Sequence, residues 1–346
     1  MSDFDTSPRT PDPAGEAHVT RATRPAAPTP VPPLTETLSD PLLRAPRRAS
    51  TILTIIFGII SLLAAAGVWW LADHTVTGQR YDDLIWQTLR DGLPAWSGPI
   101  VSFFTKSTFV IGLIILIGIV SVIIVLIRRR WRLLVQIAAF ALLSFAFGYT
   151  LKRVLPRPVL DPALANPANT SPSGHTVATF AACVVFLMAV PLALRFLAAL
   201  LGVLFSTSVA VSLISDQWHR PSDTLVAFLM VAGLAFLTLA FTRGSGMDKI
   251  GARRSSATLQ IVSTVMIVAG GFAVAFAAYL AWQVAPGLEM MAAWTVAAAQ
   301  GSSILAIAGT SSLLLGTLLA MRQVTASPLS AVGLVGAPPA PPVHEV

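Results

Sequence analysis

Apolar residues run through this chain in eight long blocks, separated by short stretches rich in charge, proline or glycine. The blocks cover 51–71, 108–127, 133–151, 176–194, 196–214, 223–241, 259–282 and 291–320. Each is close to the ~20 residues that a helix needs to cross a hydrocarbon core. The pattern predicts an all-α, polytopic membrane protein. The last block is long and holds Gly301 and Gly309, so it is expected to tilt or to start late. The fourth and fifth meet at Arg195 with almost no linker, which predicts a tight helical hairpin.

The remaining sequence fits this picture. Residues 1–42 are rich in Pro, Thr, Ala and Asp with no apolar period, and are expected to be a disordered tail rather than a signal peptide. The stretch 327–346, with its GAPPAPPVHEV ending, is expected to be a second one. Between blocks one and two, residues 72–107 contain Trp86 and Trp96 and predict an interfacial helix, with a lid over a substrate as the other reading.

Only 11% of the residues are charged, against about 25% in ordinary soluble domains. The net charge of +7 does not indicate nucleic acid as a partner, because the basic residues cluster between apolar blocks as topology signals. Arg44, Arg47 and Arg48, then Arg128, Arg129, Arg130 and Arg132, then Arg243, Lys249, Arg253 and Arg254, and finally Arg322 all fall on one side of an eight-span chain. The positive-inside rule makes that side, and both termini, cytoplasmic. No charged residue marks a transport pathway at mid-membrane. Cys183 stands alone inside an apolar block, so no intramolecular disulfide forms, and no Cys/His cluster has zinc spacing.

Three polar segments face the other side. The first, KRVLPRP, places Lys152, Arg153 and Arg157 where the positive-inside rule disfavours them. Snorkelling from a helix end explains Lys152 alone; three cations in six residues look more like an anion site, with phosphate the natural candidate. The second, SPSGH, offers Ser173 and Gly174 at a helix N-terminus, as a plain cap or as a phosphate cradle, followed by His175 as a proton donor. The third, ISDQWHRPSD, carries His219, Arg220 and Asp223 into the next helix. Asp223 favours the helix dipole there, and a carboxylate beside His219 also fixes the imidazole tautomer and leaves the other ring nitrogen free to attack. Of the five histidines, only His175 and His219 lie in these segments at outward helix ends, a sufficient pair for phosphate-ester hydrolysis without metal.

Lys152, then Pro172-Ser173-Gly174-His175, then Ser212, His219 and Asp223 resemble the three-part signature of the type 2 phosphatidic acid phosphatase family, which shares its phosphate site with vanadium haloperoxidases and bacterial acid phosphatases. The resemblance covers about 50–245 and implies a six-helix phosphatase domain there, with two additional helices at 258–322. It implies that His219 is the nucleophile, Asp223 its orienting partner and His175 the general acid, with Lys152, Ser173 and Gly174 on the phosphoryl oxygens and no cofactor or metal. The substrate it implies is a lipid phosphate or polyprenyl diphosphate, held among membrane lipids at the extracytoplasmic face. Two positions depart from the pattern. Where it places arginines, this chain has Val159 and Leu213. Arg157 and Arg220 are expected to supply the missing donors. Transfer of the phosphoryl group to another alcohol, or lipid-phosphate binding without turnover, are the alternatives these departures leave open.

Overall fold

The computed structural model describes residues 45–165, 167–248, 256–288 and 293–327. Residues 1–42 and, apart from Ser327, 327–346, both expected to be tails, lie outside the described residues. Among those described, the chain forms ten α-helices and no strand: α1 (Arg48–Asp73), α2 (Val76–Gly92), α3 (Gly98–Phe104), α4 (Ser107–Ile127), α5 (Trp131–Val154), α6 (Gly174–Ala189), α7 (Arg195–Ser215), α8 (Pro221–Ala240), α9 (Ala257–Val284) and α10 (Ala293–Ala326). Seven of these are long and apolar enough to cross a membrane: α1, α4, α5, α7, α8, α9 and α10. The protein is a polytopic all-α membrane protein.

The fourth apolar block differs from its expected form. It was expected to run continuously to 194, but α6 stops at Ala189 after 16 residues. Pro191 has no N–H to donate and pushes the residue before it out of the helical region, and Val190 is extended with ψ 154°. A single 3-10 turn, Leu192–Leu194, then leads into α7 at Arg195. At ~1.5 Å per residue, α6 is about 24 Å long, short for a span. It is buried along most of its length and enclosed by α4, α5, α7 and α8.

Outer helices are patterned inside out. The α1 helix turns Ile52, Ile56, Ile59 and Leu63 outward and buries Thr54, Gly58, Ser61 and Ala65. Lipid tails are as apolar as leucine, so helix association there relies on close backbone approach through small residues. Gly58 of α1 and Gly233 of α8 meet in this way, a Cβ on either lying 3.1 Å from the other's carbonyl oxygen. The α9–α10 pair does the same at Gly270 and Gly309. A Cβ on Gly270 would lie 2.5 Å from the backbone nitrogen of Leu313. Gly270→Leu is therefore expected to push α9 off α10 and lower the thermal midpoint in detergent, at a cost of about 1–3 kcal/mol. A midpoint equal to wild type would contradict this packing.

The two last helices are not an appendage of equal standing. While α9 is largely exposed on the periphery, α10 lies against α7, α8 and α2. Ser311 and Ser206 share a buried hydrogen bond of 2.7 Å, and Gln300 Nε2 donates to the Thr88 carbonyl at 2.7 Å. At the end of the bundle remote from the polar motifs, Asp248 accepts two hydrogen bonds from Arg195 (2.7 and 2.9 Å), one from Arg130 (3.1 Å) and one from Ser327 (2.7 Å). Its N–H donates to the Ala326 carbonyl at 2.9 Å. Arg322 lies in the same buried cluster, donating to the carbonyls of Gly246 and Met188. This carboxylate joins α5, α7 and the end of α10.

Candidate active site

Four helix ends converge at the other end of the bundle: the C-terminus of α5 and the N-termini of α4, α6 and α8. Ser173 caps α6, its hydroxyl oxygen accepting from the N–H (3.4 Å) and hydroxyl (2.9 Å) of Thr176. Its own N–H donates to the Asp223 carbonyl at 3.1 Å, which ties the start of α6 to the first turn of α8. Between α7 and α8 the chain reverses through Gln217, a non-glycine residue at φ 60°. The turn is held by Trp86 of α2, whose indole N–H donates to the Gln217 carbonyl at 2.8 Å. This reversal presents Trp218 and His219 to a cavity of about 620 Å³.

Lys152, Gly174, His175 and His219 all line that cavity. The Nδ1 atom of His219 lies 3.3 Å from Asp223 Oδ2, which leaves Nε2 as the ring nitrogen available to the cavity. Asp223 is fully buried and also accepts from the Arg220 N–H (2.9 Å) and the Thr170 hydroxyl. It thus combines the two roles considered for it, helix capping and imidazole orientation. His175 Nε2 is 2.9 Å from the Ser107 hydroxyl at the start of α4, and its ring meets Trp218 edge-on at 5.8 Å. A Cβ on Gly174 would meet nothing within 4 Å, so the backbone at the start of α6 borders open space. Ser173 is buried and committed to Thr176, beneath the cavity rather than on its wall.

Arg157 and Arg220 take other partners. Arg157 forms a buried ion pair with Asp73 at the end of α1. Arg220 Nη1 donates to Thr170 Oγ1 (2.9 Å) and to the Ala168 carbonyl (3.1 Å), and its residue is only 1% exposed. Neither is among the residues lining the cavity. Leu213, at the position where an arginine was anticipated, packs with Val110 and Val209 beside Ile114. Val159 is exposed in the loop, which Gln79 and Arg80 of α2 fasten through hydrogen bonds to Pro158, Leu160 and Asp161.

Four participants escaped the sequence reading. Thr170 and Trp218 lie within a few residues of the motifs and could have been suspected on that ground. Ser107 and Asp82 carry no such signal. Asp82, on α2, accepts from the Ser222 hydroxyl and from the Ser222 N–H at 3.4 Å, fixing the first turn of α8 from outside. Burial pushes its carboxyl up to about 7, with Ser222 opposing and the Asp223 charge adding to the rise. A carboxyl whose folded pKa is raised holds its proton longer than in the unfolded chain. Its contribution therefore falls away as pH climbs from about 4 through about 7. Asp82→Asn, which mimics the protonated form, is expected to gain thermal stability relative to wild type as pH rises from 5 to 8. A gap that stays constant over this range would contradict it.

Running down from this cavity is a second, almost entirely apolar one of about 320 Å³ between α4, α5 and α6, lined by small residues such as Gly118, Ala138, Ala141 and Ala182, with Ser144 as its polar member. The two share Ile114, Phe145, Val177 and Ala178 as wall. The larger chamber brings two imidazoles and a lysine onto a mostly apolar wall and opens onto the apolar groove inside the helical bundle. Residues 95–246, the stretch from α3 through α8, match the family model of the PAP2 superfamily. No curated protein and no solved structure compared with the chain matches it.

Proposed function

We propose that the protein cleaves the phosphate ester or anhydride of a lipid at the extracytoplasmic side of the membrane, through a phosphohistidine on His219. The observation that carries this reading is the pairing of His219 Nδ1 with buried Asp223 while the same imidazole lines a cavity with His175 and Lys152. In the first step His219 Nε2 attacks phosphorus and His175 gives its proton to the departing oxygen. In the second, water attacks phosphorus, its proton passes to His175, and the P–N bond breaks. Lys152 and the N–H groups at the start of α6 hold the phosphoryl oxygens.

The contiguous apolar groove supports a lipid rather than a soluble phosphate, since it offers a tail a dry path beside the headgroup. The orientation rests on Arg47, Arg48, Arg128, Arg129, Arg130, Arg132 and Arg243, all at the end of the bundle opposite the site. The test is phosphate release by purified protein in detergent from a panel of lipid phosphates and diphosphates. Activity is expected to persist in excess chelator and to disappear with vanadate. Loss of turnover on chelation would overturn the metal-free scheme.

A further inference from the structure

A further cavity lies at the end of the bundle remote from His219, and it is basic. Its volume is about 590 Å³, and it is lined by Arg47 and Arg48 at the start of α1 and by Arg243 just past the end of α8. The close approach of Gly58 to Gly233 holds those two helices side by side, so residues far apart in the chain border one space. No carboxylate is among its lining residues, and none of the three arginines has an acidic partner among the described residues. Asp248, at the same end of the bundle, is taken up by Arg195 and Arg130.

The positive-inside rule asks for basic charge in the loops at one end, not for its convergence on a cavity. Electrostatics at the start of α1 makes the arrangement costlier still. That helix begins with no side-chain cap at Arg47 and no acidic residue in its first turn. A helix N-terminus carries partial positive charge and free N–H groups, so Arg47 and Arg48 add like charge where an anion is favoured. An anion in the cavity removes this conflict, and guanidinium forks match phosphate oxygens in geometry. The apolar wall says which kind of anion. Ile52 lines the cavity and heads the outward stripe of Ile52, Ile56, Ile59 and Leu63, which runs along α1 from the cavity into the membrane. A lipid headgroup held by the arginines lays its acyl chain on this stripe, whereas a soluble anion gains nothing from it. We propose that the cavity is a site for the phosphate headgroup of an anionic phospholipid, in the leaflet on the side away from the catalytic chamber. The bound lipid bridges the start of α1 and the end of α8. This site is separate from the chamber and does not depend on the phosphohistidine reading.

The experiment uses the full chain carrying His219→Ala, so that the catalytic site consumes no lipid, purified in a neutral detergent. Phosphatidylglycerol and phosphatidylcholine with the same acyl chains are titrated in, and bound lipid is counted by native mass spectrometry. The expected result is one phosphatidylglycerol held at least about tenfold more tightly than phosphatidylcholine, the effect of a charge-assisted contact. Arg243→Gln is expected to cut that preference about fivefold, and Arg47→Gln/Arg48→Gln at least as much. Because these changes lie on different helices, one keeps the test open if the other variant does not fold. Arg128→Gln/Arg129→Gln removes two arginines from the turn between α4 and α5, at the same end, and is expected to leave the preference unchanged. Equal binding of the two lipids overturns the proposal. So does an equal loss in Arg128→Gln/Arg129→Gln, which would reduce the site to diffuse attraction. A preference that survives the changes at Arg47, Arg48 and Arg243 belongs to another site and overturns it too. Displacement of the arginine-dependent lipid by an equal concentration of inorganic phosphate overturns a lipid as the occupant.

Discussion

His219→Ala is expected to abolish turnover, by about 10³-fold or more, because it removes the atom proposed to form the covalent bond to phosphorus. No other side chain on the cavity wall replaces it: His175 lies at the start of α6 with Nε2 shared by Ser107, and Lys152 is committed to charge. The fold is expected to survive, since His219 makes one side-chain hydrogen bond, to Asp223. A wild-type thermal midpoint together with lost turnover separates chemistry from folding. Asp223→Asn is the complementary change. It keeps an acceptor for the Arg220 N–H but removes the charge that stabilises the imidazolium, so turnover is expected to fall by about 10²–10⁴-fold while α8 keeps its cap. Turnover within threefold of wild type in His219→Ala would remove His219 from the mechanism.

The largest expected effect on stability lies at the other end of the bundle. Asp248→Ala leaves Arg130, Arg195 and Arg322 buried without the carboxylate they surround, and is expected to destabilise the protein by about 3–5 kcal/mol. Burial alone would raise the Asp248 pKa, but Arg195, Arg322 and the Ser327 hydroxyl outweigh it and hold the carboxyl well below the usual range. A depressed folded pKa means that this stabilisation is complete above about pH 4 and is lost as pH falls towards the folded value. The measurement is the thermal midpoint in detergent, at pH 7 and through the acid range, for wild type and Asp248→Ala. A midpoint unchanged at pH 7 would show that water, rather than Asp248, compensates the arginines. Because the cluster joins α5, α7 and the end of α10, its loss is expected to loosen α10 first.

These two sites were legible in the sequence to different degrees. The catalytic candidates stood out because a local rule is broken there: polar residues at the ends of apolar blocks need a reason, and the three segments carry them at the ends of different helices. The Asp248 cluster gave no such signal. Its arginines looked like ordinary topology signals or a hairpin boundary, and only the packing shows Arg195 buried and bidentate on a carboxylate 53 residues away.

The sequence by itself determined the features that depend on neighbours along the chain. Continuous apolar blocks long enough to cross a bilayer require helices, Pro221 marks where α8 begins, and Ser173 and Asp223 are placed to cap α6 and α8. Only the tertiary structure decided which charges face the chamber. Arg157 meets Asp73 across 84 residues, Asp82 meets Ser222 across 140, and Ser107 meets His175 across 68. Such pairings depend on how helix ends converge, which no local period encodes. A cation counted as phosphate-binding in the sequence, Arg157, is thereby paired with a carboxylate in the fold, while Lys152 lines the chamber beside His175 and His219.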